Sequence, residues 1–204
     1  MLHECPGYLV VIRGSMFSGK TEELIRRANR ARYADMSVAL FKPSKDTRSN
    51  SILKSHDGNT IAAVEVSSAE AILDHVLLPF TGVEFVGIEE AQFFDEDIVS
   101  VCEDLVANGI YTVVAGLNLD FRGEPFGHMP ELLARADEVV SLTAICIVEG
   151  CRNVATRTQR IVNGIPAFYE DPIIMIGAQE SYEPRCRDHH EVPHREFTLE
   201  SETH

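Results

Sequence analysis

The segment Gly14-Ser-Met-Phe-Ser-Gly-Lys-Thr21 constrains this chain more than any other. It satisfies G-x-x-x-x-G-K-[ST]. An apolar, β-forming run (Tyr8–Ile12) precedes it, and a stretch with Leu24, Ile25, Ala28 and Ala31 at helical spacing follows. A strand that turns through glycines into a helix points a row of backbone N–H groups at an anion, and the helix N-terminus adds partial positive charge. On this reading Gly14, Ser15, Met16, Phe17, Ser18 and Gly19 form a phosphate cradle. Lys20 reaches the β- and γ-phosphates of a nucleotide, and the Thr21 hydroxyl ligates Mg2+.

The rest of the first 142 residues keeps this alternation. Strands are predicted over Ser37–Phe41, Phe85–Ile88, Tyr111–Leu117 and Glu138–Leu142. Helices are predicted from a Ser67/Ser68 cap to Leu77, over Asp95–Ala107 with an Asn108-Gly109 close, and over Pro130–Ala136. The polar stretch 44–59 reads as a mobile loop. Strands alternating with helices predict an α/β fold: a mostly parallel sheet with right-handed crossovers and helices on both faces. After Thr143 the pattern changes to Cys, Gly, Pro and short β-like runs (Thr156–Val162, Ile173–Ile176). Three parts are expected: an α/β unit over 1–142, a small module over 143–192 and a flexible tail over 193–204, with polar fraying from Glu191 onward.

A phosphate cradle needs a carboxylate on a neighbouring strand to serve the metal. Glu89 and Glu90 close the Phe85–Ile88 run, at the strand edge where open α/β sheets bind ligands. Adjacent strand residues point to opposite faces, so the two are expected to do different work. One serves Mg2+ and the other accepts a proton from an acceptor hydroxyl.

Cys146-x4-Cys151 and Cys186-Arg-Asp-His189-His190 are two short-spaced ligand groups flanking a β-like stretch, the pattern of a structural zinc ribbon. Spacing leaves His189 and His190 both open as the fourth ligand. The charge balance, 18 Lys and Arg against 32 Asp and Glu, gives −14 and disfavours nucleic acid and anionic membranes as partners. No apolar run approaches a membrane span, and no basic-then-apolar leader opens the chain, so a cytoplasmic location is expected.

Seven segments occur in a fixed order: Gly14–Thr21, Lys42-Pro with Asp46-Thr47-Arg48, Ser55–Gly58, Glu89–Phe94, Gly116–Gly127, Ala155–Arg160 and Tyr182–Cys186. Together they resemble the type II thymidine kinases, the zinc-containing cytosolic family, over about Tyr8 to His190. The resemblance implies a P-loop NTPase-type (RecA-like) α/β sheet plus a zinc-ribbon module carrying a lasso loop. It also implies transfer of the γ-phosphoryl of ATP to the 5′-hydroxyl of thymidine. Glu90 falls on the catalytic base. Gly14–Thr21, Asp46, Thr47, Arg48, Glu89 and Gln92 match ATP contacts, with Arg48 among the groups that neutralise phosphate. Phe121 matches the residue stacking on the base, Ile173, Ile174, Met175, Ile176 and Gly177 the lasso backbone, and Tyr182 a further nucleoside contact. Met16, Leu117 and Thr158 match positions lining the thymine pocket, and Cys146, Cys151, Cys186 and His189 the zinc ligands. Structural Zn2+, Mg2+ with ATP, a homotetramer and feedback inhibition by thymidine triphosphate are implied in the same way.

Three features depart from the family pattern. Glu89 replaces the usual Asp, the first cysteine pair is C-x4-C instead of C-x2-C, and His189 stands at the usual fourth cysteine. The main rival is a P-loop ATPase coupled to nucleic acid through the zinc ribbon; the acidity and the lack of a basic aromatic stripe weigh against it. A non-enzymatic nucleotide sensor is the third possibility.

Overall fold

Leu9, Val10, Val11 and Ile12 are all fully buried, which requires a strand covered on both faces. The computed structural model, which describes residues 7–44, 52–54, 58, 60–77, 82–174 and 180–194, provides that environment. In chain order the elements are β1 (Tyr8–Arg13), α1 (Lys20–Tyr33), β2 (Val38–Pro43), β3 (Ile52–Lys54), β4 (Thr60–Ala62), β5 (Val64–Val66), α2 (Glu70–Val76), β6 (Phe85–Ile88), α3 (Ile98–Ala107), β7 (Tyr111–Gly116), α4 (Met129–Arg135) and β8 (Glu138–Ser141). Then come β9 (Ala144–Ile145), β10 (Val154–Ala155), β11 (Arg157–Val162), β12 (Ile165–Pro166) and β13 (Glu180–Arg185).

Six strands form one sheet in the order β5-β2-β6-β7-β1-β8, and every pairing in it is parallel. Strand alternation divides the core in two. Leu9 and Val11 face α2, α3 and α4 through Ile72, Val101, Leu105 and Leu132. Val10 and Ile12 face α1 through Leu24, Ile25 and Ala28. The α/β sheet with helices on both faces is therefore present. Register sets the site: Ile88, Val114 and Val11 share one row, so Glu89 and Glu90 emerge beside the ends of β7 and β1. The chain leaves β1 towards β2 on one side and later returns to β8 on the other, which opens a crevice at the carboxyl end of β1.

Several local expectations change. The polar stretch 44–59 contains β3, which pairs antiparallel with β4; Leu53 is buried against the α1 face and holds it there. Neither Ser67 nor Ser68 caps α2. The Ala69 N–H donates instead to Asp95 Oδ2 at 3.3 Å, from the segment before α3. Ile173 and Ile174 form a bend, not a strand. The chain beyond Glu191 is tethered at first: Glu191 N–H donates to Gln159 Oε1 (2.8 Å), and Tyr169 N–H to the Pro193 carbonyl (3.0 Å). Past β8 the chain builds two small antiparallel sheets, β9–β10 and β12–β11–β13.

Candidate active site

The turn after β1 is built by close packing. A Cβ at Gly14 would lie 2.4 Å from Ser18 Oγ and 2.6 Å from the Leu142 carbonyl, so only glycine fits. Gly19 has φ 85°, the left-handed region that favours glycine, and α1 begins at the next residue. Inside the turn, Ser18 Oγ and Lys20 Nζ both donate to the Ser15 carbonyl at 2.8 Å. Burial lowers the Lys20 pKa, while the facing carboxylates of Glu90, Glu89 and Glu22 oppose that fall.

Thr21 Oγ1 donates to Glu89 Oε1, and the Glu89 N–H donates to the Phe41 carbonyl at 2.9 Å. Burial raises the Glu89 pKa; the Thr21 hydroxyl opposes this and the Glu90 charge adds to it. Alternation along a strand does not separate the two glutamates. β6 stops at Ile88, and Glu90 turns the chain with φ 54° and ψ 40°, a left-handed conformation uncommon outside glycine. Both side chains consequently line one cleft, with Met16, Lys20, Thr21 and Leu117.

Gln92 is 3% exposed and bridges this cleft to the sheet. Its Nε2 donates to Glu90 Oε2, and its Oε1 accepts the Leu117 N–H at 2.9 Å. It thus pins the Glu90 carboxylate to the end of β7, whatever contact it also makes with a nucleotide.

The loop after β7 closes on itself. Asp120 Oδ1 accepts the N–H groups of Arg122 (2.9 Å) and Glu124 (3.0 Å), and the Asp120 N–H donates to the Glu124 carbonyl (2.8 Å). This fixes Phe121, which is 4% exposed. On one side of the ring lies the Arg160 guanidinium, 3.8 Å from the ring centroid. His190 Nε2 donates to the Phe121 carbonyl at 2.8 Å.

The strands past β8 reach back to the turn. Thr158 Oγ1 accepts the Met16 N–H at 3.0 Å, and Ser15 Oγ donates to the Ala155 carbonyl at 3.3 Å. Tyr182 on β13 stands opposite Arg160 on β11. The exposed Ile173 follows Pro172, and the carbonyls of both accept from Arg160.

Cys146, Cys151, Cys186 and His189 bring their ligand atoms within 4.8 Å of one another. Observed separations are 3.9 Å for Cys151–Cys186, 3.6 Å for Cys146–His189 and 3.3 Å for Cys186–His189. A zinc tetrahedron with Zn–S near 2.3 Å has edges of about 3.8 Å, so the donor set fits that ion. The long C-x4-C spacer is taken up by a turn in which the Cys151 N–H donates to the Val148 carbonyl at 2.9 Å and Gly150 has φ 78°. His189 joins the cluster because a 3-10 turn, Arg187–His189, carries its ring back over Cys186. His190 bonds to the Phe121 carbonyl and lies outside the cluster, so His189 is the histidine the structure places with the cysteines.

A family model described as thymidine kinase matches residues 7–190. The chain belongs to the thymidine kinase family. The match spans the cradle, the Glu89–Glu90 turn, the Phe121 loop and the cysteine cluster, and it is consistent with the type II branch of the thymidine kinases. Phosphorylation of thymidine, with ATP and thymidine as the substrates, is the general chemistry of a thymidine kinase. Of the residues read from the sequence, the structure gathers Met16, Phe17, Gly19, Lys20, Thr21, Glu89, Glu90 and Leu117 at one cleft, with Gly14, Ser15 and Ser18 in the turn behind it, and Phe121, Ile173 and Tyr182 around Arg160. Thr158 sits at the cradle itself, on Met16. Asp46, Thr47, Arg48, Met175, Ile176 and Gly177 lie outside the described residues, as do Cys5 and His56. Sequence reasoning missed Arg160, Asp120 and the bridging geometry of Gln92. Arg160 had one signal: it lies two residues from Thr158 on a strand, hence on the same face.

Proposed function

We propose that the chain transfers the γ-phosphoryl group of ATP to the 5′-hydroxyl of thymidine, giving thymidine monophosphate and ADP. One observation carries this reading: Glu90 is held by Gln92 at the mouth of the same cleft that contains Lys20 and Thr21. A carboxylate fixed next to a phosphate cradle is positioned to take a proton from an alcohol about to attack phosphorus.

The chemistry asks little covalent work of the protein. As O5′ bonds to the γ-phosphorus, the bond to the β–γ bridging oxygen breaks, ADP departs, and the O5′ proton passes to Glu90. Lys20 and the N–H groups of the Gly14–Gly19 turn bear on the phosphate charge. Bound Mg2+ supplies further neutralisation, and the neighbouring hard oxygens of Thr21 and Glu89 are the side chains suited to hold it or its water shell. Phe121 offers the base an aromatic face, and the backbone of 173–177 together with Tyr182 reads its edge and closes over it. Asp46, Thr47 and Arg48 complete the ATP side. Cys146, Cys151, Cys186 and His189 hold a structural zinc with no open position. A cytoplasmic homotetramer inhibited by thymidine triphosphate completes the reading, on the strength of the family likeness.

Glu90→Gln keeps the shape and the Gln92 contact but removes the base. Transfer is expected to fall about a hundredfold or more while Mg-ATP affinity stays within twofold. Retained turnover in a coupled ADP-release assay with thymidine would remove Glu90 as the base.

A further inference from the structure

Arg160 has no accessible surface at all, yet among the described residues its charge has no ionic partner closer than 3.8 Å. The nearest described carboxylate, Asp171, lies 3.8 Å from Nη2, and its Oδ2 already accepts the Phe168 N–H at 2.9 Å. Nη1 donates to the Pro172 carbonyl at 2.7 Å and to the Ile173 carbonyl at 3.2 Å. Nε and Nη2 make no hydrogen bond among the described residues. As a plain stabilising device this is a poor choice, because an apolar side chain of similar volume would fill the site without the desolvation cost of a guanidinium.

Three elements meet on this one side chain. Its plane lies over Phe121, in the loop after β7. Its Nη1 holds the backbone at Pro172–Ile173. Its own strand position pairs with Tyr182. We propose that Arg160 is a positioning residue for the nucleoside, locking the Phe121 ring and the Pro172–Ile173 backbone into one rigid base-binding unit. This rests on the reading of Phe121 and Ile173 as part of the thymidine side of the site.

The Arg160 guanidinium stands over the Phe121 ring at 3.8 Å from its centroid, and that of Arg122 at 5.8 Å, so Arg160 is the closer of the two cations that hold the ring in place. A planar cation suits a place against an aromatic ring, and lysine lacks that plane. Arg160 touches no reacting atom in this scheme, so its loss should read out in nucleoside affinity and not in phosphate chemistry.

The test is steady-state kinetics of the full-length zinc-loaded wild type, Arg160→Met and Arg160→Lys, with thymidine and Mg-ATP varied in turn. Both variants should raise the thymidine KM tenfold or more, leave the ATP KM within twofold, and lower kcat by less than threefold. An unchanged thymidine KM, or equal rises in both KM values, would overturn the proposal. A wild type that fails to phosphorylate thymidine would sink the functional reading itself, a distinct outcome. Asp171→Asn leaves the buried side chain in place and covers the case in which the Arg160 variants fold poorly. It should raise the thymidine KM two- to fivefold with no change for ATP, and no change in either overturns the proposal. Phe121→Leu combined with Arg160→Met should cost no more than the worse single variant, as befits one unit; additive losses would argue against it.

Discussion

Glu89 and Glu90 are adjacent, yet their surroundings differ. Glu89 is buried beside Thr21, and burial holds its pKa above the usual carboxylate range. The folded protein therefore binds that proton more tightly than the unfolded chain. The stability this supplies is complete below the ordinary glutamate range and is lost as pH rises through the raised folded value. Comparing Glu89→Gln with the wild type, the difference in Tm should move in the variant's favour as pH rises from 5 to 8. Thermal unfolding at the two pH values checks the sign. Transfer by the same variant should be severely reduced. Cys102 illustrates burial without function: its thiol is pushed up to about 12, and iodoacetamide should leave it unmodified in the native protein while alkylating it in urea, as mass spectrometry would show. Among single residues, the cradle was legible because all its chemistry is local in the chain. Arg160 was not, because its meaning comes from Phe121 and Pro172, which no sequence window around it contains.

At the scale of elements, the parallel sheet could be read from uninterrupted apolar runs such as Tyr8–Ile12, whose burial on both faces leaves little alternative. β3 could not. It is three residues long, and Ile52-Leu53 is a single apolar pair within a polar stretch, too short to show a period. The start of α2 was misread for a related reason. Two serines in the right place suggested a local cap, but the Ala69 N–H is satisfied from the segment before α3. Asp95→Ala should cost about 1 kcal/mol in urea unfolding, whereas Ser68→Ala should cost a few tenths at most. The Phe121 loop depends on Asp120, whose carboxylate gathers two backbone N–H groups and the Arg122 side chain. Asp120→Ala should loosen that loop and raise the thymidine KM more than the ATP KM; equal changes in titrations with each ligand would count against it.

For the molecule as a whole, spacing raised the zinc-ribbon expectation and left the histidine open, the family resemblance pointed to His189, and the three-dimensional arrangement places that ring with the cysteines. His189 turns over Cys186, and His190 is occupied with the Phe121 carbonyl. Metal analysis should find about one zinc per chain in the wild type and in His190→Ala, and a clear deficit in His189→Ala. A full complement in His189→Ala would dissolve the assignment. His190→Ala should instead weaken thymidine binding, because it frees the loop that carries Phe121. Among the described residues, no helix is long and apolar enough to cross a membrane.

Thr158 and Ala155 hold the Met16 and Ser15 positions of the phosphate turn from beyond β8, and this has a practical consequence. A fragment ending at Leu142 would keep every residue of the G-x-x-x-x-G-K-T signature but lose the two braces that keep its first half taut. Such a truncation should grip triphosphate loosely even where its sheet survives. The shortest useful piece of this chain is therefore set by hydrogen bonds and not by where the signature stops.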